Sequence, residues 1–370
     1  MVTIGITGSR GFIGHHLFNA LSLQPEIYRL VEINRSEWEH DSLLYEKVNA
    51  CDVIFHFAGI NRHSDNDYIY QQNIRLTQAL VGVLNRVAHP IKVVFSSSSQ
   101  ESTESIYGKA KKVCRELLDN WANQSGNLFF GLLMPNVFGP FGKPFYNSFI
   151  ATFCYQLNKG DAPTIITDSQ VSLIYVADLV KQLEELILLD KSQPNFSIQP
   201  TTQVSVSSVL AQLNEFKSQY LEKGIIPELP NLFSIQLFNT FRSYMNYGAS
   251  FPKSYTCHTD NRGSFVELVR LGMGGQVSFS TTLPGITRGN HFHTRKIERF
   301  SVIKGKAKME LRKYGSSEVA TFFLDGEQPA YVDIPVWYYH NITNIGDNTL
   351  YTIFWISEQF NPDDADTYFE

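Results

Sequence analysis

The sequence predicts a chain in two parts: an α/β half built on a parallel sheet with helices on both faces, then an all-β sandwich or barrel. Three observations carry this reading. Short apolar runs alternate with helix-length patterns through the first half, the signature of βαβ units. A glycine-rich turn separates the first apolar run from the first helix. From Ser264 onward, β-rich runs follow one another closely, divided by Gly and Pro.

In chain order, Val2–Ile6, Ile27–Ile33, Val53–Phe57, Ile91–Ser96 and Phe129–Met134 read as short buried strands. Their unbroken apolar character suits a parallel sheet covered on both faces. Gly14–Leu23, Tyr68–Arg86 and Lys109–Ala122 read as helices between them, and the segment 176–245 reads as mostly helical. The later strands are Gln276–Thr281, Glu298–Ile303, Ala307–Leu311, Ala320–Leu324, Ala330–Ile334 and Leu350–Ile356. The boundary is expected at 245–255, which gives domains 1–247 and 248–370.

Bulk properties narrow the function. Of 370 residues, 43% are hydrophobic and 18% charged, enough apolar material for full cores. The net charge of -5 and the lack of a basic tract argue against nucleic acid. No run of eighteen apolar residues exists, so no membrane helix is expected. The N-terminus enters a strand at once, leaving no room for a signal peptide. Cys51, Cys114, Cys154 and Cys257 form no CxxC pair and read as reduced thiols of a cytoplasmic chain.

Gly8, Gly11 and Gly14 follow the first strand and open the first helix. A turn without Cβ atoms lets a pyrophosphate approach the backbone, where the helix N-terminus meets it with free N–H groups. An acidic residue at the end of the second strand would select NAD. Glu32 is read as lying inside that strand, with Asn34 and Arg35 at its tip. Arg35, aided by Arg10, could clamp a 2′-phosphate, so NADPH is the expected cofactor.

The strand Ile91–Ser96 runs into SSSSQ, and Tyr107 and Lys111 follow on one face of a helix. A lysine cation there is expected to lower the tyrosine pKa. A serine at the strand end could hold a carbonyl while the tyrosine delivers a proton.

In these features, and in the segments TGSRGFIG, HFAG, FSSSS, YGKAK and PNVFGP, residues 1–245 resemble the extended short-chain dehydrogenase/reductase family of sugar-nucleotide enzymes, with its Rossmann-like doubly wound sheet. The resemblance implies Ser98, Tyr107 and Lys111 as the catalytic set, with Ser97 as the alternative serine. It implies cofactor contacts from Gly8, Arg10, Gly11, Phe12, Ile13, Gly14, Arg35, Ala58, Gly59, Lys111, Pro135, Asn136 and Val137.

The later half carries His291 and His293, two apart as on one strand face, then Glu298 and the more distant His340. Three imidazoles and a carboxylate suit one divalent metal per chain, zinc first. With Gly285, Gly305, Pro335 and Asn344, these residues resemble the cupin family, a jelly roll. Trp337 stands where that family usually has glycine, so the turn before His340 is expected to differ. Around Arg288, Gly289 and His291 the chain is also similar to metal-free sugar epimerases of the family, in which the histidine is a base. If His291 and His293 hold metal, the base must lie elsewhere. Lys296 is the first candidate, followed by Tyr338 and Tyr339.

Taken whole, the chain resembles bifunctional enzymes of capsular polysaccharide synthesis. The resemblance implies a UDP-linked 4-keto-6-deoxy sugar substrate, C3 epimerisation in the cupin, C4 reduction in the other domain, and a homodimer.

Overall fold

The computed structural model describes residues 1–260, 263–266, 268, 274–358 and 361–369. The chain divides into two compact units: residues 1–152 with 167–206, and residues 153–166 with 207–370.

The first unit is built on six parallel strands in the spatial order Tyr28–Ile33, Val2–Thr7, Val53–His56, Lys92–Ser96, Leu128–Leu133, Gln193–Ser197. The order reverses between Val2–Thr7 and Val53–His56, and the carboxyl ends of strands at such a reversal form the ligand crevice of an open α/β sheet. Two apolar clusters line the sheet. One gathers Ile4, Ile6, Phe55, Val94 and Phe130 against the helices Phe12–Ser22 and Val176–Leu188. The other gathers Ile54, Val93, Phe95 and Phe129 against Asn66–Leu84 and Ile106–Ser125. The predicted strands and helices are found within a few residues of their expected limits. The sixth strand was not expected, because QPNFS lies in the segment read as helical and is interrupted by Pro194. Proline is tolerated because this is an edge strand. A small three-stranded sheet of Asn136–Phe138, Gln170–Tyr175 and Thr202–Ser205 completes the unit.

In the second unit two antiparallel sheets form a jelly-roll-type sandwich. One runs Lys253–Ser254, Ala330–Ile334, Glu298–Lys304, Leu350–Ile356, Gln276–Thr282, and the other runs Val319–Asp325, Lys306–Lys313, Tyr338–Asn344, Thr287–Phe292, Tyr368–Phe369. Strands alternate in burial, as in Lys306–Lys313, so every second side chain points between the sheets. The short helix Lys217–Glu222 and the helix Leu232–Arg242 belong to this unit, joined to the sandwich by a buried polar network. Tyr220 donates to Asp333 at 2.5 Å, Arg299 pairs with Asp333 at 2.8 Å, and Arg242 donates to the Tyr220 oxygen at 3.1 Å.

Candidate active site and metal centre

In the first unit the glycine turn adopts the conformation its composition requires. Gly8 has φ +70°, and a Cβ there would stand 2.9 Å from the Ala58 nitrogen. At Gly14 a Cβ would stand 2.2 Å from the Gly8 carbonyl oxygen. The helix therefore begins hard against the turn, with Gly11 as its N-cap, a cradle that fits a dinucleotide pyrophosphate. Arg10 and Phe12–Gly14 lie on this cradle, and Arg35 opens the short turn after the second strand, exposed.

Glu32 does lie within its strand, as expected. Yet its carboxylate accepts from Ser9 Oγ at 2.9 Å and approaches Arg10 Nε at 4.0 Å. Counting positions along the strand missed this reach of the side chain into the loop.

Ala58 and Gly59 follow the third strand. Thr7 Oγ1 accepts from the Phe57 and Ala58 nitrogens at 3.1 and 3.0 Å and lies 2.8 Å from His56 Nδ1. Asn73 holds the next residue, Ile60, by both its N–H and its carbonyl. Asn136 and Val137 begin the short strand paired with Leu173–Tyr175, and Pro135 precedes it.

Tyr107 and Lys111 lie on the helix Ile106–Ser125, and Ser98 follows the fourth strand, Lys92–Ser96. Ser98 caps the short turn Ser99–Ser102 by accepting from Gln100 N at 3.1 Å, and Ser105 caps the helix Ile106–Ser125. The helix start packs so tightly on that turn that a Cβ at Gly108 would lie 2.0 Å from Gln100 O. Lys111 Nζ lies 3.4 Å from Ser96 Oγ and 4.5 Å from the Phe95 ring centroid. Burial lowers its pKa to about 8. Ser97 is buried and donates to Glu101, which pairs with Arg115 at 2.8 Å. Ser97 is thus engaged with that ion pair, while Ser98 is half-buried.

One expectation fails. Lys111 was expected to lower the Tyr107 pKa, but burial, with Tyr146 and Cys114 nearby, raises it. The Lys111 ammonium sits 5.8 Å from the phenol ring centroid, on the side of Ser96. A phenol held protonated is the form needed to donate.

In the second unit His291, His293, Glu298 and His340 converge, with one ligand atom from each lying within 4.8 Å of the others. His291 and His340 are direct neighbours across paired strands, and Glu298 comes from the facing sheet. The strand carrying His291 ends at Phe292, so His293 sits one residue beyond it. A bulge between Gly289 and His291 sets their spacing, and a Cβ at Gly289 would meet His340 O at 2.7 Å. Nε2 of His293 and of His340 each lie 3.2 Å from Glu298 Oε2. All three atoms are buried, and none makes a hydrogen bond. Buried polar atoms aimed at one point without partners are the donor set of a metal ion, so the residues fit one. Burial, with His340 and His293 alongside, holds His291 near pKa 4, keeping its imidazole neutral and able to ligate. Burial opposes ionisation of Glu298, but His293 and His340 outweigh it and hold the group far below the usual carboxylate range.

Trp337 was expected to alter the turn before His340. It takes the left-handed conformation, φ +64°, with its N–H donating to His293 O at 2.7 Å. Its indole stacks on Phe292, 5.4 Å between centroids, which offsets the strain of a non-glycine residue there.

The cluster opens on a cavity of about 450 Å³, large enough for a sugar ring. Lys296 lines it with Arg288, Ser278, Ser280, Phe300 and Phe354. Lys296 is buried and its Nζ donates to Ala365 O at 2.5 Å.

A parallel doubly wound sheet with a close-packed glycine turn at the reversal of its strand order is the construction of a nucleotide-dependent dehydrogenase or epimerase. The chain belongs to the NAD dependent epimerase/dehydratase family, whose model matches residues 4–195, and residues 258–368 match the polysaccharide biosynthesis C-terminal domain. Among relatives, it is 31% identical to UDP-2-acetamido-2,6-beta-L-arabino-hexul-4-ose reductase of Pseudomonas aeruginosa, covering 98% of this chain and 97% of the relative. It is similar over 99% of both chains to the crystal structure of the capsular polysaccharide assembling protein CapF of Staphylococcus aureus, at 32% identity and TM-score 0.63. Over 59% of its length the chain shares its fold with UDP-N-acetylglucosamine 4-epimerase of Bacillus cereus, at 18% identity and TM-score 0.52, covering 82% of that chain.

Proposed function

We propose that the chain is a two-step sugar-nucleotide enzyme. Its second domain, a metal-binding cupin, inverts C3 of a UDP-2-acetamido-2,6-dideoxy-4-hexulose. Its first domain then reduces the C4 ketone with NADPH, giving UDP-2-acetamido-2,6-dideoxy-L-talose on the route to UDP-N-acetyl-L-fucosamine. The observation that carries this reading is the coexistence of two features in one chain: Tyr107 and Lys111 on one helix beside a serine-ended strand, and a buried donor cluster opening on a sugar-sized cavity. The name of the Pseudomonas relative supports the same substrate class, and that of the Staphylococcus relative supports a place in capsular polysaccharide assembly. We keep the functional division at 247/248 and infer a homodimer from the resemblance.

The order of steps follows from chemistry. A C4 ketone acidifies the C3 proton, and a base can remove it and return it to the other face. Lys296 is our candidate base, because it lines the cavity and the alternatives Tyr338 and Tyr339 do not. A bound divalent ion, held by His291, His293, Glu298 and His340, would supply positive charge for the oxyanion that develops. Reduction then removes the acidifying carbonyl and locks the new configuration. Ser98 orients the ketone oxygen, Tyr107 gives it a proton, and Lys111 holds a positive charge beside them. A bound nicotinamide would supply the hydride. Tyr107→Phe should lower NADPH oxidation with the 4-keto sugar by about 10²–10⁴-fold. Oxidation at the parental rate would refute the assignment.

Glu32 favours a second reading of the cofactor, since a carboxylate at the glycine loop suits a ribose 2′-hydroxyl and repels a 2′-phosphate. Dissociation constants for NADPH and NADH decide between them. On our reading NADPH binds more tightly and Arg35→Ala narrows the gap; tighter NADH binding, reversed by Glu32→Gln, would establish the alternative. A purely structural sandwich is the other competing view, and the open cavity beside the cluster speaks against it.

A further inference from the structure

We propose that the C-terminal segment Asp364–Phe369 is a latch that fixes the donor geometry of the histidine–glutamate cluster, with Asp366 as its positioning residue. The proposal rests on reading that cluster as a metal centre. Asp366 is 5% exposed and holds a left-handed backbone, φ +41°. Such a conformation in a non-glycine residue persists where surrounding contacts over-determine it.

Those contacts are specific. The Asp366 carboxylate accepts from three successive backbone N–H groups, Thr294 at 3.0 Å, Arg295 at 3.0 Å and Lys296 at 3.1 Å, and from Thr294 Oγ1 at 2.6 Å. Converging N–H groups of this kind form a nest for an anion. Here the nest is the link between two ligands, His293 and Glu298, so the carboxylate sets their separation. The Asp366 carbonyl oxygen accepts from His293 Nδ1 at 2.5 Å. A carbonyl can only accept, so Nδ1 carries the proton and the Nε2 lone pair is left facing the cluster. Outer hydrogen bonds of this type orient ligating imidazoles and raise their basicity.

The same segment reaches the third donor. Tyr368–Phe369 pairs antiparallel with His291–Phe292, and the Phe369 ring lies edge-on to His291 at 5.7 Å. Arg295 ties the neighbouring chain to Asp364 at 2.9 Å and to Glu358 at 3.1 Å. A short terminal stretch thus touches two ligands and the linker to another. A strand that merely closed the sheet edge would have no need of a buried carboxylate in the ligand loop.

Cobalt(II) titration of the full chain tests this, following the d–d absorption and competing with a chelator. Loss of the anchor in Asp366→Ala should weaken Co²⁺ affinity by about 10–100-fold and shift the d–d band. NAD(P)H affinity and the far-ultraviolet circular dichroism should stay unchanged. Thr294→Val, a milder lesion that removes one hydrogen bond to the carboxylate, should weaken affinity in the same direction and keeps the test decisive if Asp366→Ala does not fold. Parental affinity and band shape in whichever variant folds would overturn the latch alone. A parent chain with no Co²⁺ band sensitive to His340→Ala would overturn the metal reading beneath it.

Discussion

His56 shows what burial does to a single titratable group. It is fully buried, hydrogen-bonded to Thr7 and flanked by Trp38 and Phe95 rings, with Nε2 unpartnered. Burial, then the nearby Lys111 charge, lowers its pKa to about 3. The folded value lies below the ordinary value of 6.5, so the unfolded chain takes up a proton first as pH falls. Stability from this group is intact above 6.5 and lost between there and about 3. The limiting slope is about 1.4 kcal/mol per pH unit. Denaturant unfolding between pH 7 and 4 should show this loss, and His56→Gln should flatten the slope. An unchanged slope in that variant would mean that other groups carry the acid sensitivity.

The candidate residue types were legible in the sequence at this scale, because Tyr and Lys four apart after a serine-tipped strand, and His-x-His, are short-range patterns. Their electrostatics were not. Whether Lys111 faces Tyr107 or Ser96 depends on packing against Phe95, which no spacing records. Asp366 was illegible for the same reason: its partners are about seventy residues away.

Among the elements, the turn between Val2–Thr7 and Phe12–Ser22 carries the strictest constraint. A Cβ at Gly14 would have to displace backbone, not a flexible side chain. Gly14→Ala should therefore weaken NAD(P)H binding by tenfold or more, read by fluorescence titration, while the second unit keeps its Co²⁺ affinity. Retained nucleotide affinity would show that the turn is not the cradle. The parallel strands were legible as apolar runs. The strands carrying His291 and His340 were harder to delimit, because polar side chains stand among the apolar ones that would mark alternation. Trp337 shows the converse: aromatic packing stabilises in it a left-handed conformation usually left to glycine, which no spacing records.

At the scale of the molecule, the proposed function gives each unit a site whose chemistry makes sense with the other's. A reductase alone has no use for a buried donor cluster on a cavity, and an epimerase alone leaves a reactive ketone. Among the described residues no helix is long and apolar enough to cross a membrane. The central claim is the division of labour between the sites, and one assay reads both halves. The UDP-4-keto sugar is offered with NADPH in deuterated water to the parent chain, Tyr107→Phe, His340→Ala and Lys296→Ala. Deuterium at C3 reports the second unit, and NADPH consumption reports the first. The account predicts that Tyr107→Phe keeps exchange and loses oxidation. His340→Ala and Lys296→Ala should lose exchange while still reducing a simple 4-keto sugar. Loss of C3 exchange in correctly folded Tyr107→Phe, or undiminished exchange in both second-unit variants, would contradict it.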